Sequence, residues 1–191
     1  MNRKPKTTYY GFTIVETLVA IAVLMIAVSG PLVVANKSLA AAIYAKDQTT
    51  AAYLAQEGME LIRSAKDNDI AAGNDWNNTI KGNSTCKQNG STNNPTECAI
   101  GVDSSGYIQT GGCGIFTNNC VLKVGKIAYS YYDTLGNNGI FNTAPNSIFT
   151  RYFYITPISS NEEQATVIVD WNEGSVPNEV KFTTEITNST L

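Results

Sequence analysis

The sequence of 191 residues contains no histidine. That single absence removes Ser-His-Asp and Cys-His nucleophilic catalysis, histidine-containing zinc sites and histidine pH switching. Charge is scarce as well: 15% of residues are charged, and the formal net charge is −3. Arg3, Lys4 and Lys6 stand at the extreme N-terminus, where there is no acid, so the rest of the chain is more acidic still. Such a chain gains nothing electrostatically from a phosphate backbone, and nucleic acid is a poor default partner. There is no Gly-x-Ser-x-Gly elbow, no phosphate-cradling glycine loop and no carboxylate cluster. The 4 cysteines include no Cys-x-x-Cys pair of the kind that holds zinc. An enzyme is not expected, nor is any cofactor or metal.

What the chain has is one dense apolar stretch, residues 12–35, with an unbroken run over 18–28. As a helix it would extend roughly 36 Å, against a hydrocarbon core of about 30 Å. The basic cluster precedes it and Lys37 stands alone after it, so the positive-inside rule puts the N-terminus in the cytoplasm and the remainder outside. A secretory signal peptide fits less well. No small-x-small site with a clean break follows the run, and Glu16 lies inside it. A carboxylate at the centre of a bilayer helix costs roughly 2.5–3.5 kcal/mol on insertion scales, and less toward the end, so Glu16 asks for a reason.

Gly11-Phe12-Thr13-Ile14-Val15-Glu16, after a short basic leader and before a long apolar run, closely resembles the class III signal of type IV pilins and pseudopilins. The resemblance implies cleavage by a prepilin peptidase between Gly11 and Phe12, on the cytoplasmic side, and N-methylation of the new N-terminal Phe12. It implies that the apolar segment stays on the mature protein and packs with other pilin subunits in a filament. Many members carry Lys or Arg directly before the glycine; here the residue is Tyr10. Glu16 falls where the family places its glutamate. A cationic amino terminus at Phe12, taken into a filament core, is partly compensated by a neighbouring subunit's carboxylate, a contact able to set axial register.

Gly30-Pro31 interrupts the run. Proline lacks the N–H and crowds the carbonyl of Ala27, so a kink or local loosening is expected, although transmembrane helices also tolerate both residues. Farther on, Ala51, Leu54, Ala55, Gly58, Leu61, Ile62 and Ala65 recur at three- and four-residue intervals and predict an apolar helix face. Asp67, Asn68, Asp69 and Gly73 mark where the helical pattern gives out. Residues 52–63 are similar to the stem of pilus-modification and type II secretion minor subunits; amphipathic packing accounts for the same pattern.

From residue 73 the composition changes to Asn, Gly, Ser and Thr, which reads as loop over most of its length. Acceptor patterns for glycosylation begin at Asn77, Asn83 and Asn89, as chance alone produces in such a segment. Cys86, Cys98, Cys113 and Cys120 all lie here, on the outward side, so two disulfides are expected among three connectivities. The shortest loops favour Cys86–Cys98 with Cys113–Cys120. Residues 103–106 and 133–137 resemble oxygen-rich turns but lack the ligand spacing of a calcium loop.

Strands are expected over 128–132, 149–155, 164–171 and 179–186, the last two joined by a longer hairpin loop over 172–178. Val180, Phe182, Thr184 and Ile186 alternate with Lys181, Thr183 and Glu185, giving one buried and one wet face. The expected architecture is α+β, a long N-terminal helix packed against an antiparallel sheet. Its parts are a cleaved leader (1–11), a transmembrane and filament-core helix (12–35), an amphipathic helix (36–72), a loop-rich cysteine region (73–127) and the sheet (128–191). The functional expectation is a minor pilin or pseudopilin of a fimbrium or type II secretion-like filament, starting as a single-pass protein of the cytoplasmic membrane. The alternative is a membrane-tethered binding module that never assembles.

Overall fold

The computed structural model describes residues 11–81, 97–102, 107–113, 120–124, 129–130 and 146–188. Cys86, the acceptor patterns at Asn83 and Asn89, and the expected turns at 103–106 and 133–137 lie outside them. Helix α1 runs over Ile14–Ala71 with Pro31 inside it. The chain divides into two units, Met1–Ala45 and Lys46–Leu191, so α1 contributes to both.

In the first unit α1 is apolar on every side and exposed on every side. Its hydroxyls are absorbed locally: Thr17 donates to the Ile14 carbonyl at 2.8 Å and Ser29 to that of Ile26 at 3.1 Å. Helical assignment continues through Gly30 and Pro31, the proposed kink, without a break.

In the second unit α1 buries Ala51, Leu54, Ala55, Gly58, Met59, Ile62, Ala65 and Asp69. Leu61 of the expected face is only partly buried, and Met59 takes a full place in the core. The helix passes the Asp67–Asp69 stop signals and ends in a Schellman motif. Asn74 N–H donates to Asp69 O at 2.9 Å and Gly73 N–H to Ile70 O at 3.0 Å, with Gly73 at φ +73°. Asp69 has a second role besides lying in the last turn. Its buried carboxylate accepts from the Thr79 N–H at 2.7 Å and the Thr79 hydroxyl at 2.8 Å, capping the short helix α2, Asn78–Lys81.

Among the described residues, seven antiparallel strands accompany the helices of this unit. They are β1 (Cys98–Val102), β2 (Ile108–Gly112), β3 (Val121–Val124), β4 (Tyr129–Ser130), β5 (Asn146–Ser159), β6 (Glu162–Glu173) and β7 (Val176–Thr187). β5 is central: β6 runs along one side of it, and β1 and β3 share the other. Three strands and α2 therefore occupy 73–127, expected to be mostly loop. The reason is that β1 and β2 are short and carry Gly101, Gly111 and Gly112, which weaken the strand signal, so their strand state is secured by pairing with each other. The loop expected over 172–178 is tighter than that. Glu173 pairs with Val176 across a two-residue connection, with Gly174 at φ +61°.

Burial alternates along β5, whereas in β6 Thr166 and Ile168 on the opposite face are buried as well. Phe149, Arg151, Phe153 and Ile155 point inward with Ala165, Val167, Val169 and Trp171, against α1. Phe149 and Trp171 meet as tilted rings 6.2 Å apart. The prolines sit where a missing N–H costs least. Pro157 lies at a register irregularity, and Pro177 lies on β7, whose partner among the described strands is β6.

Candidate processing and assembly segment, and the buried arginine

Gly11, Phe12 and Thr13 precede α1 in non-helical conformation, and all three are exposed. A side chain added at Gly11 would meet nothing within 4 Å. Among the described residues, no packing contact requires glycine there. Phe12 is 77% exposed and the apolar residues after it are similarly bare. The most apolar window of α1 is 0% buried, and the helix is long and apolar enough to cross a membrane.

Thr13 is a residue to which the sequence reading assigned no role. Its hydroxyl accepts the Glu16 N–H at 3.3 Å, which makes it the N-cap of α1 with Glu16 at the third helical position. Thr-x-x-Glu before an apolar run is the capping-box pattern, and that signal was legible in the sequence. Glu16 thus has a reason to be where it is even in an isolated chain: a carboxylate in the first turn of a helix interacts favourably with the macrodipole, by roughly 0.3–1 kcal/mol.

The second unit contains a feature that alternation alone would not predict. Arg151 occupies an inward position of β5 and is 2% exposed. Its Nη1 donates to the Leu54 carbonyl at 3.0 Å and to the Glu57 carboxylate at 2.8 Å, both on α1. Nη2 donates to the Ile100 carbonyl of β1 at 3.1 Å. Its Nε has no hydrogen-bond partner among the described residues. Burial pulls the Arg151 pKa down, and Glu57 opposes that shift. Gly58 makes room for the side chain: a Cβ there would lie 3.0 Å from Val167 Cγ1 and 3.1 Å from Arg151 Cδ.

Cys113 and Cys120 are disulfide-bonded, with Cα atoms 5.3 Å apart. Cys98 is disulfide-bonded too, and its expected partner Cys86 lies outside the described residues. Both Cys98 and Cys113 are buried at the same end of the β1–β2 hairpin, where Cys98 pairs with Gly112.

On the outward face, Asp170 and Tyr152 influence each other's titration. Desolvation, then Glu179 and Glu97, raise the Asp170 pKa against the opposing effect of Tyr152. Desolvation and the Asp170 charge likewise raise the Tyr152 pKa. An open depression of about 480 Å³ beside Thr150, Asp170, Asn172 and Glu179 has amides and carboxylates in its lining but no nucleophile paired with a base. Asn77, at the first acceptor pattern, donates to the buried Glu163 at 3.1 Å, and Lys81 pairs with the same carboxylate at 2.5 Å. Asn77 and Thr79 are thus engaged in packing the end of α1 and α2 against β6.

No curated protein and no solved structure matches the chain. One family model does, described as the prokaryotic N-terminal methylation motif, over residues 7–30. That stretch includes Gly11, Phe12, Thr13, Glu16 and Gly30, the first of α1 and the residues just before it. The family of that motif is structural rather than enzymatic. With a long N-terminal helix and an antiparallel sheet the arrangement is α+β and pilin-like, and residues 7–30 are a type IV pilin-like class III signal.

Proposed function

We propose that this chain is a minor pilin or pseudopilin, a structural subunit of a type IV pilus or type II secretion-like filament. The observation that carries the reading is the methylation motif running directly into an apolar helix segment that no other described residue covers. An apolar surface of that extent is not tolerated by water and needs a bilayer first and neighbouring helices afterwards. In this reading the basic N-terminus stays in the cytoplasm and the second unit crosses to the outside. Prepilin peptidase cuts between Gly11 and Phe12 and Phe12 is methylated. Glu16 then pairs with the amino terminus of a neighbouring subunit, and Gly30-Pro31 is the weak point at which the helix loosens on packing. Cys86–Cys98 and Cys113–Cys120 staple the outer unit.

The mass of the mature N-terminus tests this. Chain purified from membranes should begin at N-methylated Phe12, and Gly11→Val should accumulate as full-length precursor. An unchanged mature mass in Gly11→Val removes the prepilin reading.

A further inference from the structure

Asn77 and Lys81 lie one helical turn apart: the Lys81 N–H donates to the Asn77 carbonyl at 2.9 Å. Side chains at that spacing share a face, with Cβ atoms about 5–6 Å apart, a span that a lysine stem and an asparagine amide can bridge. Both side chains end on one atom of β6. Lys81 Nζ lies 2.5 Å from Glu163 Oε1, and Asn77 Nδ2 donates to the same oxygen at 3.1 Å. Glu163 is 4% exposed, and its Oε2 has no hydrogen-bond partner among the described residues. The backbone between Asn77 and Lys81 is held from both sides. Thr79 donates to Asp69 through its N–H and its hydroxyl, and its carbonyl accepts from the Thr110 hydroxyl at 2.6 Å. Ile80 is fully buried. A plain ion pair accounts for Lys81 with Glu163, but not for the amide sharing that oxygen while Oε2 stays bare.

We propose that Asn77 and Lys81 are a site of self-catalysed amide cross-linking, with Glu163 as the proton carrier. Glu163 takes a proton from the Lys81 ammonium and leaves a neutral amine. Nζ adds to Asn77 Cγ, so the Nζ–Cγ bond forms and Oδ1 gains the negative charge. Glu163 delivers its proton to Nδ2 and takes the second proton from Nζ. The carbonyl re-forms, the Cγ–Nδ2 bond breaks, and ammonia departs with the last proton as ammonium. A lysine ammonium and a carboxamide thus become a secondary amide and ammonium, with no oxidant, reductant or other co-reactant. An amine and an unactivated amide do not meet productively in water; here the fold holds them together beside the proton carrier. The product closes α2 into a covalent ring and removes the Lys81 charge from Glu163.

Tryptic peptide mapping of the reduced, alkylated full chain tests this, independently of how the N-terminus is processed. Trypsin does not cut after an acylated lysine, so wild type should yield residues 67–87 as one peptide, lighter by one ammonia. Its fragmentation should give no backbone ions between residues 77 and 81, because the ring holds the pieces together. Lys81→Arg keeps a cation beside Glu163 but offers no amine to acylate, and should restore cleavage at position 81 and the full mass. Glu163→Gln keeps the shape but cannot carry the proton, and should also show the full mass. The wild-type peptide and Lys81→Arg keep the test decisive if that variant does not fold. The proposal is overturned if wild type is cut after Lys81 at full mass. It is equally overturned if the ammonia loss persists in Lys81→Arg, which marks a succinimide formed at Asn77 by the Asn78 backbone nitrogen. A cross-link retained in Glu163→Gln overturns the role of Glu163.

Discussion

Gly58 and Arg151 compete for one volume. Gly58→Ala gains roughly 1 kcal/mol of helix propensity, and its Cβ meets Val167 and Arg151 at 3.0 and 3.1 Å. Overpacking costs typically 1–3 kcal/mol, so alanine should be close to neutral or slightly destabilising. Gly58→Val adds two methyl groups beyond alanine's Cβ against an arginine that three acceptors hold in place, and should lower the unfolding free energy by about 3 kcal/mol. Denaturant unfolding of the detergent-solubilised chain reads both. Asp170 carries a pH signature. Its native pKa is raised, mainly by desolvation, so as pH climbs the unfolded chain releases this proton before the folded one does. The native state then holds more protons, and stability falls with pH between the ordinary carboxylate value and the raised one. Asp170→Asn should remove that slope, matching wild type in strong acid and exceeding it near neutral pH. Parallel pH profiles of the two chains would refute the assignment.

Among elements, connections and cross-links decide how β-strands are held. The β6–β7 turn needs Gly174 for its conformation alone, because an added Cβ there meets nothing within 4 Å. Gly174→Val should therefore cost about 1–2 kcal/mol from the left-handed backbone region, with no change in core packing by near-UV circular dichroism. The Cys113–Cys120 bond closes a short loop between the end of β2 and the start of β3, with a sequence separation of 7. Loop-closure entropy assigns it about 2.5 kcal/mol. The double variant Cys113→Ala with Cys120→Ala should show that loss in denaturant midpoint while α1 stays helical by far-UV circular dichroism. Helix ends follow the same logic of satisfied termini: Thr13 opens α1, Gly73 and Asn74 close it, and Asp69 opens α2.

For the molecule as a whole, the proposed filament role and a plain membrane anchor make opposite demands on one side chain. Removing the Glu16 carboxylate eases insertion of an apolar helix, so an anchor is unharmed. In an assembling subunit the same change strips a partner from a desolvated amino terminus, and breaking a buried pair from one side costs roughly 3–5 kcal/mol. Glu16→Ala should therefore be cleaved near normally yet fall by orders of magnitude in the sheared filament fraction. Thr13 sharpens the reading: Glu16→Gln retains the capping-box pattern, so a defect shared by both Glu16 variants comes from lost charge and not from a frayed helix start. Wild-type incorporation of Glu16→Ala would end the register mechanism.

By itself the sequence determined the features whose causes lie within a few residues of one another. The methylation motif, the membrane-length apolar run, the small-residue face at 51–65 and the alternation of β7 are all local and periodic, so they survive without knowledge of the fold. Thr13 was equally local, its partner three residues away. Tertiary structure alone decided the rest. Arg151 looks like a wet residue among aromatics, and its burial depends on acceptors 94 to 97 residues earlier on α1. Asp69 looks like a helix stop until Thr79 is brought to it. β1 and β2 are short and weakened by Gly101, Gly111 and Gly112, and each is held by the other's backbone partners. In each case a polar group or a weak strand is stabilised only by partners distant in sequence, and the free energy of satisfying it appears only once the chain has closed on itself.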